Sequence, residues 1–264
     1  MALFLMATQF LTRVPVRSGS EFQARSLSES LRYFPLVGGL VGLIEVSVWW
    51  LSGHWFGRTI AVGLMLAASL LLTGALHEDG FADTCDGFGG GNTRERVLAI
   101  MKDSRIGAFG AIGLIVLMGL KWSALVALPG DAFWLIVVAS HVVSRWCTIG
   151  LVRVMPYARA QGEGKSGAFD GGLPGGRWIL SGALGLGAAA IPVILPSASD
   201  RAGLAAAAGA AFIAAACAAL LGAAYLQRRL GGYTGDCLGA VQQVCELAFL
   251  LGALAVLRPA MSPS

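Results

Sequence analysis

The sequence predicts an all-α protein, a polytopic membrane helix bundle with about seven transmembrane helices in a single domain over residues 1–264. Hydrophobic residues make up 56% of the chain and charged residues only 13%, whereas a soluble domain carries about 25% charged residues. Long apolar runs recur, each near the ~20 residues that cross the hydrocarbon layer of a bilayer. They lie at 35–53, 59–76, 107–128, 133–152, 179–196, 203–226 and 239–257.

The segments around these runs complete the order of elements. Residues 1–11 are apolar but too short to span a bilayer, so they predict an interfacial segment. Residues 94–101 predict a short amphipathic helix, with Arg94 and Arg96 on its solvated side. Small residues dominate 203–224, a composition typical of membrane helices that pack closely against a neighbour.

The basic residues of the connecting loops predict the orientation of the bundle. With the N-terminus in the cytoplasm, fourteen Lys and Arg residues fall on the cytoplasmic side, and three fall on the other side: Arg58, Arg201 and Arg258. Cytoplasmic loops carry an excess of Lys and Arg, so this asymmetry predicts an N-terminus inside and the polar loops on the cytoplasmic face. Anchoring and anionic lipid account for the formal charge of +4, and no nucleic acid partner is expected.

An acidic segment at residues 77–110 is the strongest indication of chemistry. It carries six of the chain's fifteen acidic residues, directly after an apolar run. On a helix, Asp79, Asp83 and Asp86 lie at positions i, i+4 and i+7 and therefore share one face. Three carboxylates this close repel one another unless a cation lies among them, and such oxygen ligands suit Mg2+. The segment predicts a magnesium site, with a solvated helix end as the plainer alternative.

The loop at 156–172 contains the letters GKS but does not fit a phosphate-binding loop. The first glycine of that motif would fall at Arg159, and the preceding segment is a membrane helix instead of a strand. What remains is a loop in which Arg159, Lys165 and Asp170 are able to cover an anionic ligand. A cytoplasmic loop without a ligand explains the composition equally well.

Residues 231–246 contain a further set of polar residues on the last predicted helix. If that helix begins near Thr234, four residues share one of its faces: Asp236, Gly239, Gln243 and Glu246. The glycine makes room beside the acids. Ionisable side chains within a membrane span usually face the bundle interior or a wet cavity, so Glu246 is a candidate site residue. Helix capping is the alternative role for Thr234 and Asp236.

Several motifs follow one another along nearly the whole chain. They are FLTRVPV at 10–16, HEDGFADTCDGFGG at 77–90, IMKDSRIGAFGA at 100–111, SR at 144–145, PYAR at 156–159 and GGYTGDCLGA at 231–240, followed by Glu246. In this order they resemble the cobalamin synthase family of adenosylcobinamide-GDP ribazoletransferases. The number of motifs makes a chance match unexpected.

The resemblance implies a multi-pass enzyme of the bacterial inner membrane whose active site faces the cytoplasm. It implies transfer of the cobinamide-phosphate group of adenosylcobinamide-GDP to α-ribazole or its 5′-phosphate, with release of GMP and a requirement for Mg2+. Adenosylcobalamin or its 5′-phosphate is the product, and this step joins the nucleotide loop of cobalamin. The implied partners are the two substrates and the lipid bilayer, and a homo-oligomer is left open.

The resemblance also gives individual residues a role. Catalysis of phosphoryl transfer depends mainly on positioning and charge stabilisation by the protein. Mg2+ is therefore expected at the three aspartates of the acidic segment, Asp79, Asp83 and Asp86. The general base toward the ribazole hydroxyl is left open among three acids, Glu78, Asp103 and Asp236. The expected substrate-binding residues are Lys102, Ser104, Arg105, Arg145, Tyr157, Arg159, Thr234, Gln243 and Glu246.

Three other functions share parts of this pattern. A phospholipid-type alcohol phosphotransferase also uses a metal-bound diphosphate and a hydroxyl acceptor, but its longer, differently spaced Asp motif is not met here. A polyprenyl transferase needs a second acidic motif in a corresponding half of the chain, and the sequence has none. A transporter predicts ionisable residues near the middle of the bilayer, where Glu45 and Lys121 are a candidate pair, instead of acids clustered at one surface.

Overall fold

The computed structural model describes residues 2–15, 24–159, 169, 173–190 and 201–257, and within these ranges the secondary structure is helical, with no strand. A short 3-10 helix at Leu31–Tyr33 leads into the third α-helix. The α-helices are α1 Ala2–Leu11, α2 Ala24–Ser30, α3 Phe34–Thr73, α4 Leu76–Gly90, α5 Arg94–Ile100, α6 Ala108–Ala127, α7 Gly130–Val154, α8 Gly175–Ala190, α9 Arg201–Leu230 and α10 Gly235–Leu257. The predicted helical membrane bundle is confirmed.

Five helices of the described chain are long and apolar enough to cross a membrane, namely the one that contains α3, and α6, α7, α9 and α10. α3 is interrupted at Gly57, whose φ of 72° and ψ of 171° lie outside the helical region. On a straight helix, two residues with the sequence separation of Gly53 and Ala61 would lie about 12 Å apart. A Cβ at Gly53 would instead lie 3.9 Å from the Cβ of Ala61. The chain therefore folds back at Gly57, and the two arms of α3 correspond to the predicted spans 35–53 and 59–76.

The predicted span 179–196 is only partly covered by the structure. α8 has 16 residues and ends at Ala190, and the rest of that span lies outside the described residues. It is shorter than the ~20 residues that a spanning helix needs. The number of seven transmembrane helices therefore stays a prediction.

Helix ends lie at two opposite faces of the bundle. At the first, which we call the turn face, Arg58 beside the Gly57 turn donates hydrogen bonds to the carbonyl oxygens of Leu125 and Leu128 at the end of α6. Arginine at this place satisfies the last carbonyl groups of a helix. At the opposite face, which we call the site face, the start of α6 contacts α4 and the end of α9 contacts α5.

α10 crosses its neighbours at glycines. A Cβ at Gly80 of α4 would lie 2.8 Å from the carbonyl oxygen of Asp236, and a Cβ at Gly239 would lie 3.1 Å from that of His77. A Cβ at Gly252 would lie 2.9 Å from the backbone of α9. Larger residues do not fit such close approaches. The acidic helix α4 is thereby held directly against the start of α10, and the Ala-rich α9 packs closely, as its composition predicts.

α5 is the short amphipathic helix that the sequence predicts. Val97 and Met101 are buried on its apolar side. Arg94 is exposed but has more than a solvated role, because it donates hydrogen bonds to the carbonyl oxygens of Leu230 and Ala158. These bonds attach α5 to the end of α9 and to the loop that follows α7.

Candidate active site

Helix α4 carries the acidic segment at the site face. Gly74 and Ala75 both adopt left-handed backbone conformations, with φ of 66° and 55°, and so separate α4 from α3. Asp79 is exposed, Asp83 is half-buried and Asp86 is buried. The three carboxylates belong to one helix, as predicted, but their surroundings differ.

Asp86 connects α4 to the start of α6. Its carboxylate accepts hydrogen bonds from the N–H groups of Gly107 at 2.7 Å and Gly110 at 2.8 Å. The first N–H groups of a helix have no partner within the helix, and Gly107, the N-cap residue, has no side chain to supply one. Asp86 supplies these bonds from another helix and places a negative charge at the positive end of the α6 dipole.

Asp83 lies close to other carboxylates. Burial and the negative charges of Asp79, Asp236 and Asp86 raise the pKa of its carboxyl to about 7, while the positive charge of Arg159 opposes this shift. A raised pKa means that the ionised form is destabilised by its surroundings. A cation placed among these groups would remove that repulsion.

Two short segments bring Arg159 to Asp236. Tyr157 and Tyr233 form a parallel β-bridge, and the N–H of Ala158 donates a 2.8 Å hydrogen bond to the carbonyl oxygen of Tyr233. The guanidinium of Arg159 then lies 2.7 Å from the carboxylate of Asp236. The PYAR and GGYTGD motifs are therefore one structural unit.

Thr234 begins α10 with a capping contact. Its hydroxyl oxygen accepts a 3.2 Å hydrogen bond from the N–H of Cys237, and its side chain is buried. This is the usual contact of an N-cap residue. The alternative role that the sequence offered for Thr234 is thus observed, and its expected part in substrate binding stays a prediction. Through the cap, Thr234 fixes the start of the helix that carries Asp236.

A cavity of about 450 Å3, which we call the inner cavity, lies beside these residues. Its polar lining includes Asp79, Asp236 and Arg145, and its apolar lining includes Phe10 and Phe34. The sequence predicted an interfacial segment at residues 1–11. The structure shows that α1 also supplies part of the cavity wall.

A second pocket of about 500 Å3, which we call the outer pocket, is lined by basic and aromatic groups. These are Arg94, Lys102, Tyr157 and Arg159, together with a leucine and two alanines. Arg159 lines the outer pocket and pairs with Asp236, which lines the inner cavity. This ion pair therefore joins the two spaces.

The exposed loop before α6 carries Asp103, Ser104 and Arg105. A hydrogen-bonded ion pair with Arg105, at 2.6 Å, lowers the pKa of Asp103 to about 2. A carboxylate with so low a pKa is a weak proton acceptor at neutral pH. The described residues that line the two cavities do not include these three. Lys165 and Asp170, expected to cover an anionic ligand, lie outside the described residues.

A buried polar network fills the middle of the bundle. Lys121 of α6 lies 2.6 Å from Glu246 and 3.0 Å from Gln243, both of α10. Gln243 donates a 2.9 Å hydrogen bond to Glu78 of α4. Lys121 is 4% exposed and Glu246 is 2% exposed, and Glu246 lies roughly 16 Å along α10, near the middle of that 23-residue helix. Gln243 and Glu246 therefore hold three helices together.

His141 of α7 extends this network to α3. Its ring nitrogens lie 3.0 Å from Glu45 and 3.2 Å from Glu246, and Arg145 lies 3.0 Å from the same ring. Glu45 and Lys121, which the sequence suggested as a pair, each have another partner within one network. Arg145 belongs to the network and also lines the inner cavity, so it links the two.

The carboxylates at the site face decide whether these residues fit Mg2+. Among the described residues, no three His, Cys, Asp or Glu side chains are arranged to hold a metal ion. Mg2+ usually binds through one or two carboxylates and completes its shell with water and substrate phosphates. The repulsion of Asp83 by Asp79 and Asp236 fits such an ion. The arrangement therefore suits Mg2+ bound together with a phosphate-bearing substrate.

Sequence reasoning missed the aromatic lining of the inner cavity. Phe10, Phe34 and Phe169 contact one another there, although they are far apart in the sequence. Apolar residues in an apolar chain carry no local signal. Phe10 belongs to the FLTRVPV motif, which contributed only to the family resemblance.

The fold and the site define a multi-pass helical membrane protein in which acidic and basic groups meet at one face of the bundle. Residues 3–254 match the family described as cobalamin-5-phosphate synthase. The chain belongs to this family, as its motifs suggested.

Relatives of similar length support this assignment. An adenosylcobinamide-GDP ribazoletransferase of Leptothrix cholodnii is 43% identical, over 96% of this chain and 95% of the relative. Proteins of the same name from Ralstonia pickettii and Shewanella oneidensis are 40% and 38% identical, over 94% and 93% of this chain and 93% and 90% of theirs. None of the solved structures matches the chain.

Proposed function

We propose that the chain is an adenosylcobinamide-GDP ribazoletransferase, the activity that its relatives are named for. The observation that carries the proposal is the meeting of Asp79 and Asp83 with Asp236 and Arg159 beside the inner cavity. Carboxylates and a guanidinium at one place suit a diphosphate substrate and a hydroxyl acceptor, because phosphoryl transfer depends on positioning and charge stabilisation.

In the proposed reaction, the ribose hydroxyl of α-ribazole or its 5′-phosphate attacks the phosphorus joined to cobinamide. A bond forms between that hydroxyl oxygen and the phosphorus. The bond from the phosphorus to the bridging oxygen of the diphosphate breaks, and GMP leaves with its electron pair. The hydroxyl proton passes to a carboxylate. The product is adenosylcobalamin or its 5′-phosphate.

Asp236 is the best placed of the three candidate bases. It lines the inner cavity, whereas Glu78 is hydrogen-bonded to Gln243 in the buried network and Asp103 lines neither of the two cavities. A general base must lie within hydrogen-bonding reach of the proton that it accepts. Asp236 therefore takes the proton in this proposal.

The remaining charged groups bind the diphosphate. Mg2+, where bound, would neutralise charge on the reacting phosphates, and Asp79 and Asp83 are its proposed ligands. Asp86 is proposed to hold α4, and with it these two ligands, in place. Its carboxylate already accepts two backbone hydrogen bonds from the start of α6. Lys102 and Arg159 of the outer pocket are proposed to contact the phosphate oxygens, for which the planar guanidinium is well suited.

The site face is proposed to face the cytoplasm across a bacterial inner membrane. Arg94, Lys102, Arg105 and Arg159 all lie at this face, while Arg58 lies at the turn face. Cytoplasmic loops carry an excess of Lys and Arg. Both substrates would then reach the site from the cytoplasm.

The test is a turnover assay with protein purified in detergent. Adenosylcobinamide-GDP is supplied with α-ribazole or with its 5′-phosphate, and release of GMP is followed with and without Mg2+. Turnover with Mg2+, and loss of turnover after chelation and in Asp83→Asn, is the expected result. Asp131→Asn is the matched control, because Asp131 is an exposed aspartate at the turn end of α7.

Two outcomes would contradict separate parts of the proposal. Full turnover in the presence of a chelator would remove the metal from the mechanism and leave the transfer reaction in place. An absence of GMP release with either acceptor, from monodisperse protein, would overturn the assigned reaction itself.

A further inference from the structure

The aromatic part of the inner cavity has no role in the mechanism above. The rings of Phe10 and Phe34 are stacked, with centroids 5.6 Å apart and an interplanar angle of 24°. Phe169 meets these two rings edge-on, at 5.3 and 5.9 Å. We call these three residues the aromatic wall. They come from α1, from the start of α3 and from a position between α7 and α8, so three separate segments converge at the cavity.

The charges around the two spaces differ. Of the described residues that line the inner cavity, one, Arg145, is a strong cation, and it already contacts His141 in the buried network. The outer pocket has three: Arg94, Lys102 and Arg159. A nucleoside diphosphate is strongly anionic, so its phosphates belong with the outer pocket. The inner cavity is left for a group with little charge.

Size and polarity narrow the choice of that group further. A cavity of about 450 Å3 is within the range of about 300–1,000 Å3 that encloses small ligands, and it is too small for a corrin ring with its side chains. Guanine carries donors and acceptors around its edge that would lose their partners against phenyl rings. A benzimidazole with apolar substituents loses much less, and its flat faces and edges suit phenyl groups.

We propose that the inner cavity is the acceptor subsite, in which the benzimidazole base of α-ribazole contacts the aromatic wall and its ribose hydroxyl points toward Asp79 and Asp236. The assignment rests on the proposed function, because it takes α-ribazole as the acceptor. It adds where the acceptor binds and which residues select it. The aromatic wall then chooses an apolar bicyclic base, and the outer pocket holds the guanosine diphosphate part of the donor.

The test uses Phe10→Leu, which keeps an apolar side chain of similar size but removes the ring. Loss of an aromatic contact is expected to raise the Kd and the KM for α-ribazole roughly three- to ten-fold. The KM for adenosylcobinamide-GDP should stay within about two-fold of wild type. Phe56→Leu is the control, since Phe56 is an exposed phenylalanine beside the turn at Gly57. The Kd is measured by equilibrium dialysis with α-ribazole alone, without Mg2+ and without corrinoid.

A competition experiment with wild-type protein keeps the proposal testable even if Phe10→Leu does not fold. Free 5,6-dimethylbenzimidazole should displace α-ribazole, and guanine should not. Displacement by guanine, or a variant that changes the KM of the corrinoid substrate as much as that of α-ribazole, would overturn the assignment. Because dialysis needs no turnover, binding of α-ribazole by protein that releases no GMP would contradict the proposed reaction and leave the subsite standing.

Discussion

The guanidinium of Arg159 lies 2.7 Å from the carboxylate of Asp236, and the two side chains are only 15% and 24% exposed. One partner lines the outer pocket and the other lines the inner cavity. The pair therefore lies between the proposed donor and acceptor subsites. In the proposed reaction, the new bond forms between the phosphorus of the donor and the hydroxyl oxygen of the acceptor, which are held on opposite sides of this ion pair.

Arg159→Ala should weaken the binding of adenosylcobinamide-GDP more than that of α-ribazole. Loss of a charge-assisted hydrogen bond to phosphate costs about 1.5–3 kcal/mol, which is roughly ten-fold or more in Kd. Arg159→Lys keeps the charge without the planar guanidinium, so its affinity for adenosylcobinamide-GDP should lie between those of the wild type and Arg159→Ala. Separate titrations of each substrate measure the effect. Equal, small changes for both substrates would leave Arg159 with a structural function alone.

The folded protein should lose stability as the pH rises toward 7 in the absence of metal. The pKa of Asp83 is raised to about 7, while an unfolded chain has an aspartate pKa of about 4. Between these values the folded state holds a proton that the unfolded state has lost, so stability falls with rising pH. Thermal unfolding of metal-free protein from pH 5 to pH 8 measures the slope. Asp83→Asn should flatten it, and a slope unchanged in that variant would argue against the raised pKa.

Asp86→Asn should destabilise the protein with or without Mg2+. An asparagine side chain keeps one acceptor oxygen, so one of the two bonds to the start of α6 is lost. Loss of a hydrogen bond to a charged group costs about 1.5–3 kcal/mol. Thermal unfolding in detergent measures the change, with Asp83→Asn as the isosteric comparison at the neighbouring acid. A variant as stable as wild type but unable to bind Mg2+ would make Asp86 a metal ligand, as the sequence predicted.

Lys121→Met should be strongly destabilising, because it leaves Glu246 buried without its closest charged partner. Breaking a buried ion pair by removing one group costs about 3–5 kcal/mol. The double variant with Glu246→Gln should lose less than the two single variants together. Melting temperatures of the wild type, the two single variants and the double variant complete the cycle. Simple additivity would mean that the 2.6 Å contact contributes little.

Single cysteines in a cysteine-free protein should report the orientation. Gly90→Cys and Gln227→Cys lie at exposed positions near the site face, and Gly130→Cys lies at the start of α7 at the turn face. In intact cells, a membrane-impermeant thiol reagent should label position 130 alone. Labelling of positions 90 and 227 from outside would place the site face away from the cytoplasm.

Much of the fold follows from local composition. Apolar runs predicted where helices cross the membrane, and the spacing of Asp79, Asp83 and Asp86 predicted one acidic helix. Glycine at position 239 predicted a close approach, and the structure gives it as the crossing with α4. These features depend on neighbouring residues in the chain, and the sequence carries them directly.

Other features depend on contacts that no local pattern contains. Nothing in the sequence shows that Asp86 caps α6, because the acid and the N–H groups that it binds belong to different helices. The same is true of Lys121, whose partner Glu246 lies on α10. The separation of α3 into two arms was predicted as two spans, but the tight turn at Gly57 was visible only in the backbone angles.

The position of Glu246 on the last described helix has a consequence for how the protein is made. Lys121, His141 and Arg145 are synthesised on α6 and α7, well before their shared carboxylate. A charged residue at the centre of a bilayer costs about 2.5–3.5 kcal/mol at insertion. Until α10 enters, the nascent bundle therefore holds polar side chains that lack this partner. A chain that ends before α10 would keep these side chains in the membrane without that carboxylate.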